Sequence, residues 1–465
     1  ARAAIGVSND GGAGDINITT VTDKNSTIFG AEYGIEVIGD DAKNITINSG
    51  AKLTGNILGG IAVHTDNAYG FGSINAANVT INVTNEVIGT TEAGIATYSL
   101  AGDTITINLD DKSNVYSTAE IGIVDTDGNA TLNINNGSTV TGTTSLGNGS
   151  DNINVNSGSN VTGVSVFDGG DDSSVADGMI DTITFNNTSY TDKEYTDSTG
   201  TTYPSVFQNW EVLNLNNSKL ITNGVITIGD GGIGTEINLV NNGKIDAGNA
   251  LVVNGNLNID PSSTFDGTGA GAGVYVINGN VANDGTITTL DGVVGDVVTV
   301  NGNYVGGTDS KLLFDVELGG DNSPKDSLVV NGNASGSGTV VINYVGGTGD
   351  ATVRGIDLIT VSGTNTLTPT LVPGTIQAGA YEYVLVKVDG GWNLVSYVAP
   401  IVTPNTNVVT PTKPVTPTKP VIDIYRPAIS NYINTAMANI NGGFAAIDAF
   451  QNGSQLGGDE VNHYQ

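Results

Sequence analysis

The chain has 465 residues, 66 of them Gly, with 47 acidic against 15 basic side chains and no cysteine. A net charge of -32, with no arginine between Arg2 and Arg354, excludes a protein that holds nucleic acid through clustered Lys and Arg. The lack of cysteine excludes a disulfide scaffold, and no apolar run reaches the 18 residues of a membrane-spanning helix.

From the start of the chain one phrase recurs: apolar, polar, apolar, then usually Asn. It reads Ile16-Asn17-Ile18, Ile45-Thr46-Ile47-Asn48, Val79-Thr80-Ile81-Asn82 and Ile105-Thr106-Ile107-Asn108. It continues at Leu132, Ile153, Ile183, Leu213, Ile237 and Leu257, with first residues 20 to 34 apart. Strict alternation predicts strands with one buried face. A period in this range predicts rungs that bury their faces only by stacking on each other. Between phrases come Asn/Gly corners and further short strands, as in Ser157-Gly158-Ser159-Asn160-Val161-Thr162-Gly163 and Val164-Ser165-Val166. Strand, corner, strand, corner, strand is the grammar of an all-β, right-handed, three-sheet parallel β-helix. Asn in one slot of successive rungs predicts a ladder of stacked side-chain amides. The alternative architecture is a pair of β-sandwiches.

Two irregularities are candidate binding surfaces. The first is a row after the Gly-Ile strands: His64 and Asp66, Tyr98, Asp125 and Asp127, then Asp168. If these strands stack, the row makes a polar ladder along one face. The second is a long insertion between Ile183 and Leu213. It carries Tyr190, Lys193, Tyr195, Tyr203, Phe207 and Trp210, and a loop folded over one flank would create a cleft. The plainer alternative is that Phe207 and Trp210 staple the loop to the helix. The outward Thr and Asn of the rungs offer a third, flat surface for an extended partner.

No cofactor is expected. A calcium site at Asp168, Asp171 and Asp172, with Asp177 and Asp181, has the right oxygen chemistry but fits neither of the known loop spacings. A Ser-His-Asp triad would need a histidine, and the chain has only His64 and His463. Carboxylate pairs such as Asp40-Asp41 and Asp110-Asp111 leave a polysaccharide lyase or hydrolase as a remote reading.

After about residue 290 the texture changes. Residues 291–398 hold longer strands, more aromatics and hairpin-like turns that suit a unit sealing the end of a solenoid. Residues 399–424 form a Pro/Thr-rich linker, and the run to residue 420 holds half of the 12 prolines. From Tyr425, residues Ile429, Ile433, Met437 and Ile440 fall on one helical face.

The stretch from Asp296 to Leu394 resembles the pertactin-like capping and autochaperone region of bacterial autotransporters. The matching words are Val-Asn-Gly-Asn at 300–303 and 330–333, Gly319-Gly320-Asp321-Asn322-Ser323-Pro324, Ala380-Tyr381-Glu382-Tyr383 and Trp392. The Tyr425-Arg426-Pro427 segment resembles the helix that plugs the translocator barrel. Upstream, residues 1–290 are similar in style to the β-helical passengers of the diffuse-adherence and self-associating adhesins. The resemblance implies export through the periplasm and display on a Gram-negative outer membrane, or release from it. Membrane contact is then expected only through a C-terminal barrel. It also implies a non-enzymatic adhesin. The expected partners are host matrix protein of the fibronectin kind, host glycans of the glycosaminoglycan kind, or other copies of the chain in aggregation and biofilm.

Overall fold

A computed structural model describes residues 2–396, apart from 10–13, 22, 24, 40–41, 67–76, 171–172, 197–199, 231 and 233. The expected linker, the terminal helix, His463 and the Asp40-Asp41 pair lie outside the described residues.

The described chain winds into about twelve turns of a parallel β-solenoid with three sheets. All ten recurring phrases fall on sheet one, from Ile16–Thr19 and Asn44–Ser49 through Asn256–Ile259, each strand parallel to the next. Their apolar residues point inward and are almost fully buried, while the intervening polar residues face out. That is what alternation in a half-buried strand requires.

The repeat is not in simple register throughout. Ile16, Ile45, Val79 and Ile105 stack first residue on first residue. Leu132 instead stacks on Ile107, two places further along its phrase. A step of two leaves every side chain on its own face, so the core tolerates it; a step of one would turn the strand inside out.

Sheet two contains short strands such as Thr27–Gly30, Lys52–Gly55 and Glu86–Gly89, and later Lys219–Ile221 to Thr368–Val372. Sheet three runs from Ala3–Ser8 through Ile61–His64 and Ile95–Tyr98 to Ser327–Val330 and Ile356–Val361.

Parallel stacking crosses residue 290 without a break. The strands Val274–Ile277, Val297–Val300 and Ser327–Val330 stay in register on sheet three. The change of texture is therefore a change in corners and core fillers rather than in winding. Further on, the last rungs close with antiparallel pairing, where Gly391–Val395 lies against Ile356–Val361 and also pairs with Tyr381–Val388.

The Val-Asn-Gly-Asn words have a physical task at the corner between sheets three and one. Asn278 donates to Asn254 at 2.7 Å, Asn301 to Asn278 at 2.6 Å, and Asn331 to Asn301 at 2.6 Å. The second Asn of each word accepts from the backbone of the next rung, as Asn280 does from the N–H of Asn303. Between them the glycines stack with no room for a side chain: a Cβ on Gly302 would lie 2.5 Å from the carbonyl oxygen of Gly279. Two other words of this region meet in space, since the Tyr383 hydroxyl donates to the carbonyl oxygen of Gly319 at 2.8 Å.

Candidate binding faces

The outward side of sheet one is chemically uniform. From Asn17 to Asn216 its outward strand positions are all Asn or Thr except Val212, and the first charged residue among them is Glu236. Two amide ladders organise it. In one, Asn82 donates to Asn48, Asn108 to Asn82 and Asn133 to Asn108, each at 2.8 Å, and Asn154 donates to Asn133 at 2.9 Å. The other starts on Asp110, which accepts from Asn135 at 2.8 Å, and climbs through Asn156, Asn186 and Asn216. An amide carries two N–H donors and two acceptor lone pairs. Each ladder bond uses one N–H and one lone pair, which fixes the group and leaves the rest for a partner.

The predicted polar row on sheet three divides. His64 and Tyr98 are register partners, and their rings stack at 4.4 Å and 7°. Asp168 aligns instead with Ser145 and Gln208, and Ser145 aligns with Val124, two residues short of the Tyr98 column. His64 is buried, with Nδ1 3.8 Å from Asp66. It belongs to an outer layer over the N-terminal rungs, in which Tyr33 donates to Glu92 at 2.9 Å and Tyr98 to the same carboxylate at 3.3 Å. Asp125 is buried too. It accepts from Ser99, Thr97 and the N–H of Gly128, and burial pushes its carboxyl up to about 6 against those bonds. Asp125 therefore ties a corner together, and the His64 ring is packed into that outer layer. Asp127 is half-buried and accepts from Asn148 at 2.6 Å.

The insertion is smaller than the sequence spacing implies. Ser189–Thr191 and Phe207–Gln208 are ordinary rung strands, and only a hairpin of Tyr195–Thr196 against Thr202–Tyr203 stands out. Tyr190 and Trp210, expected at a binding cleft, are core residues. Tyr190 packs edge-on against Phe167 and Phe207, and Trp210 is fully buried, with its indole N–H donating to the carbonyl oxygen of Phe167. Phe207 and Trp210 thus do staple this segment to the helix. Tyr195 and Tyr203 remain half-buried on the hairpin with their rings stacked at 5.9 Å. Lys193 reaches back to the carbonyl oxygen of Thr162 at 3.2 Å. Gln208 and Asn209, which the sequence reading passed over, lie beside Tyr203. The left-handed backbone of Asn209, φ 55°, marks the corner that places them.

The expected calcium loop does not assemble from the residues described. Asp168 accepts from Asn209 and Ser145, and burial raises its carboxyl. Asp181 is buried and accepts from the N–H of Asp151, Asp177 lies in an exposed turn, and Asp171 and Asp172 are outside the described residues. Among the described residues no three acidic or histidine side chains converge to hold a metal ion.

A family model for the type 1 autochaperone domain matches residues 279–385. The chain is 41% identical over 160 residues to the uncharacterized protein YdeU of Escherichia coli K12, covering 32% of each. It is 40% identical over 125 residues to the probable autotransporter YfaL of the same strain, 25% of this chain and 10% of that one. It is 37% identical over 110 residues to the autotransporter adhesin AIDA-I of Escherichia coli, 22% of this chain and 8% of that one. The chain spans a third or less of the length of these relatives. An end built as an autochaperone domain, shared with autotransporters and set on a three-sheet parallel coil, makes this chain an autotransporter passenger, exported through the periplasm to the cell surface or beyond.

Proposed function

We propose that this passenger is a non-enzymatic adhesin whose contact surface is the outward face of sheet one. The observation that carries the reading is the run of Asn and Thr from Asn17 to Asn216 in a chain of net charge -32. Elsewhere the field of the rod repels other anionic surfaces. Over this face an extended partner meets fixed donors and acceptors at strand spacing and no charge at the outward strand positions. That chemistry suits a neutral glycan or an extended segment of a host matrix protein better than a sulfated glycan, which the mean charge opposes. The adhesin relatives agree with a binding role.

The test is an array of matrix proteins and glycans probed with the purified chain and with its Thr80→Glu, Thr131→Glu variant. Binding that is lost in the variant supports the reading; no bound partner at all defeats it. Homotypic association is the second reading, favoured because a face of amides is complementary to itself. Sedimentation velocity distinguishes it: a concentration-dependent dimer that survives added salt supports self-association, and a monomer throughout removes it.

A further inference from the structure

Two adjoining cavities run along the outer face of sheet three beside the Tyr195–Tyr203 hairpin. One, of about 330 Å³, is lined by Thr143, Val166, Asp168 and Tyr195; the other, of about 230 Å³, by Ser173, Pro204, Val225 and Thr227. Tyr203, Gln208 and Asn209 line both. Thr143, Asp168, Gln208 and Thr227 belong to four successive rungs, so the groove follows the rod axis for about 14 Å at the usual strand spacing.

We propose that this groove binds a neutral oligosaccharide lying along the rod axis, with Tyr203 as its central platform. No Lys or Arg lines either cavity, and Asp168 lines one, so an anionic ligand finds no counter-charge there. A cation is poorly served, because Asp168 already accepts from Asn209 at 2.8 Å and Ser145 at 3.2 Å. A wholly apolar ligand would strand the amides of Gln208 and Asn209. A sugar satisfies both kinds of surface: its C–H face lies on a Tyr ring, and its hydroxyls meet the amides. Those amides are held in place beforehand. Asn209 donates to Asp168 and to the carbonyl oxygen of Gly170 at 3.1 Å, which leaves its Oδ1 to accept. Gln208 donates one N–H to Ser205 at 2.8 Å and retains the other N–H and its Oε1.

The proposal rests on the adhesin reading only for its use to the cell. Saturation-transfer NMR on the purified chain tests it, with chitotetraose, cellotetraose and lacto-N-tetraose as neutral probes, a heparin tetrasaccharide as the anion and tetralysine as the cation. Transfer to at least one neutral glycan is expected, weakened about tenfold or more by Tyr203→Ala. Asn209→Gly keeps the left-handed backbone while removing the amide, and is expected to weaken it too. No transfer to any neutral glycan, equal transfer in the Tyr203 and Asn209 variants, or preference for heparin or tetralysine overturns the groove, whatever displayed cells do. Failure of displayed cells to adhere defeats the adhesin reading and leaves the groove standing.

Discussion

Asn133 donates a side-chain N–H to Asn108 at 2.8 Å and accepts from Asn154 at 2.9 Å, so one amide row passes through the rung where the repeat steps by two residues. The row depends on both halves of each amide. In Asn108→Asp the donor to Asn82 becomes a second acceptor, facing an oxygen. The expected cost is about 1–3 kcal/mol, read as a lower urea midpoint. Faster amide exchange should be confined to the strands Asn78–Val83 to Asn129–Ile134. Asn108→Ser, which keeps a donor and an acceptor on a shorter arm, should cost less.

Trp210 is fully buried in the core, and its N–H satisfies the carbonyl oxygen of Phe167. Trp210→Ala is expected to cost about 3–5 kcal/mol. Trp210→Phe should recover most of the packing but leave the Phe167 oxygen without its donor, for about 1–3 kcal/mol. Thermal melts of the two variants rank them.

Gly302 packs against the backbone of Gly279, where even a methyl group would sit 2.5 Å from an oxygen. Gly302→Ala must push two rungs apart at the corner and is expected to lower stability by about 2–4 kcal/mol. Because the same glycine stack runs through Gly332, the loss should spread toward the C-terminal rungs. Limited proteolysis is expected to cut that end first.

Asp296 is fully buried and accepts from the N–H of Gly273. Burial, with Asp326, Asp291 and Asp315 adding like charge, pushes its carboxyl up to about 7. Those carboxylates and the Tyr275 hydroxyl are the titratable groups coupled to it. The folded chain therefore holds a proton that the unfolded chain releases near pH 4. The stability this contributes is complete below about pH 4 and is lost as pH rises through about 7, to the extent of about 2–4 kcal/mol. Asp296→Asn should flatten that slope. Urea midpoints between pH 4 and 8 for the two proteins, taken as a difference, separate it from the general repulsion of an acidic rod.

Sheet one was legible because its strands alternate strictly and end in Asn. Sheets two and three were harder to read, because strands of three or four residues between Gly corners carry little periodicity. The two-residue step at Leu132 was invisible, since it preserves the pattern on each side. Tyr190 and Trp210 read as surface aromatics because they lie in a long gap between phrases. In the fold that gap is mostly regular rung, and large rings fill the core there. His64 and Asp125 were read as one outward row because both follow Gly-Ile strands. That sequence position does not show the Tyr33–Glu92–Tyr98 layer, or a corner that needs an acceptor for Ser99 and Gly128.

The central claim is that contact is made through the uncharged face of sheet one, and cell adherence tests it most directly. Cells displaying the passenger are compared with cells displaying the Thr80→Glu, Thr131→Glu variant, with equal surface amounts checked by antibody. Neither threonine takes part in the amide ladders, and both point outward. A drop in adherence of about tenfold or more is predicted, since two carboxylates would then lie buried beneath a partner. Undiminished adherence of the variant would contradict the account.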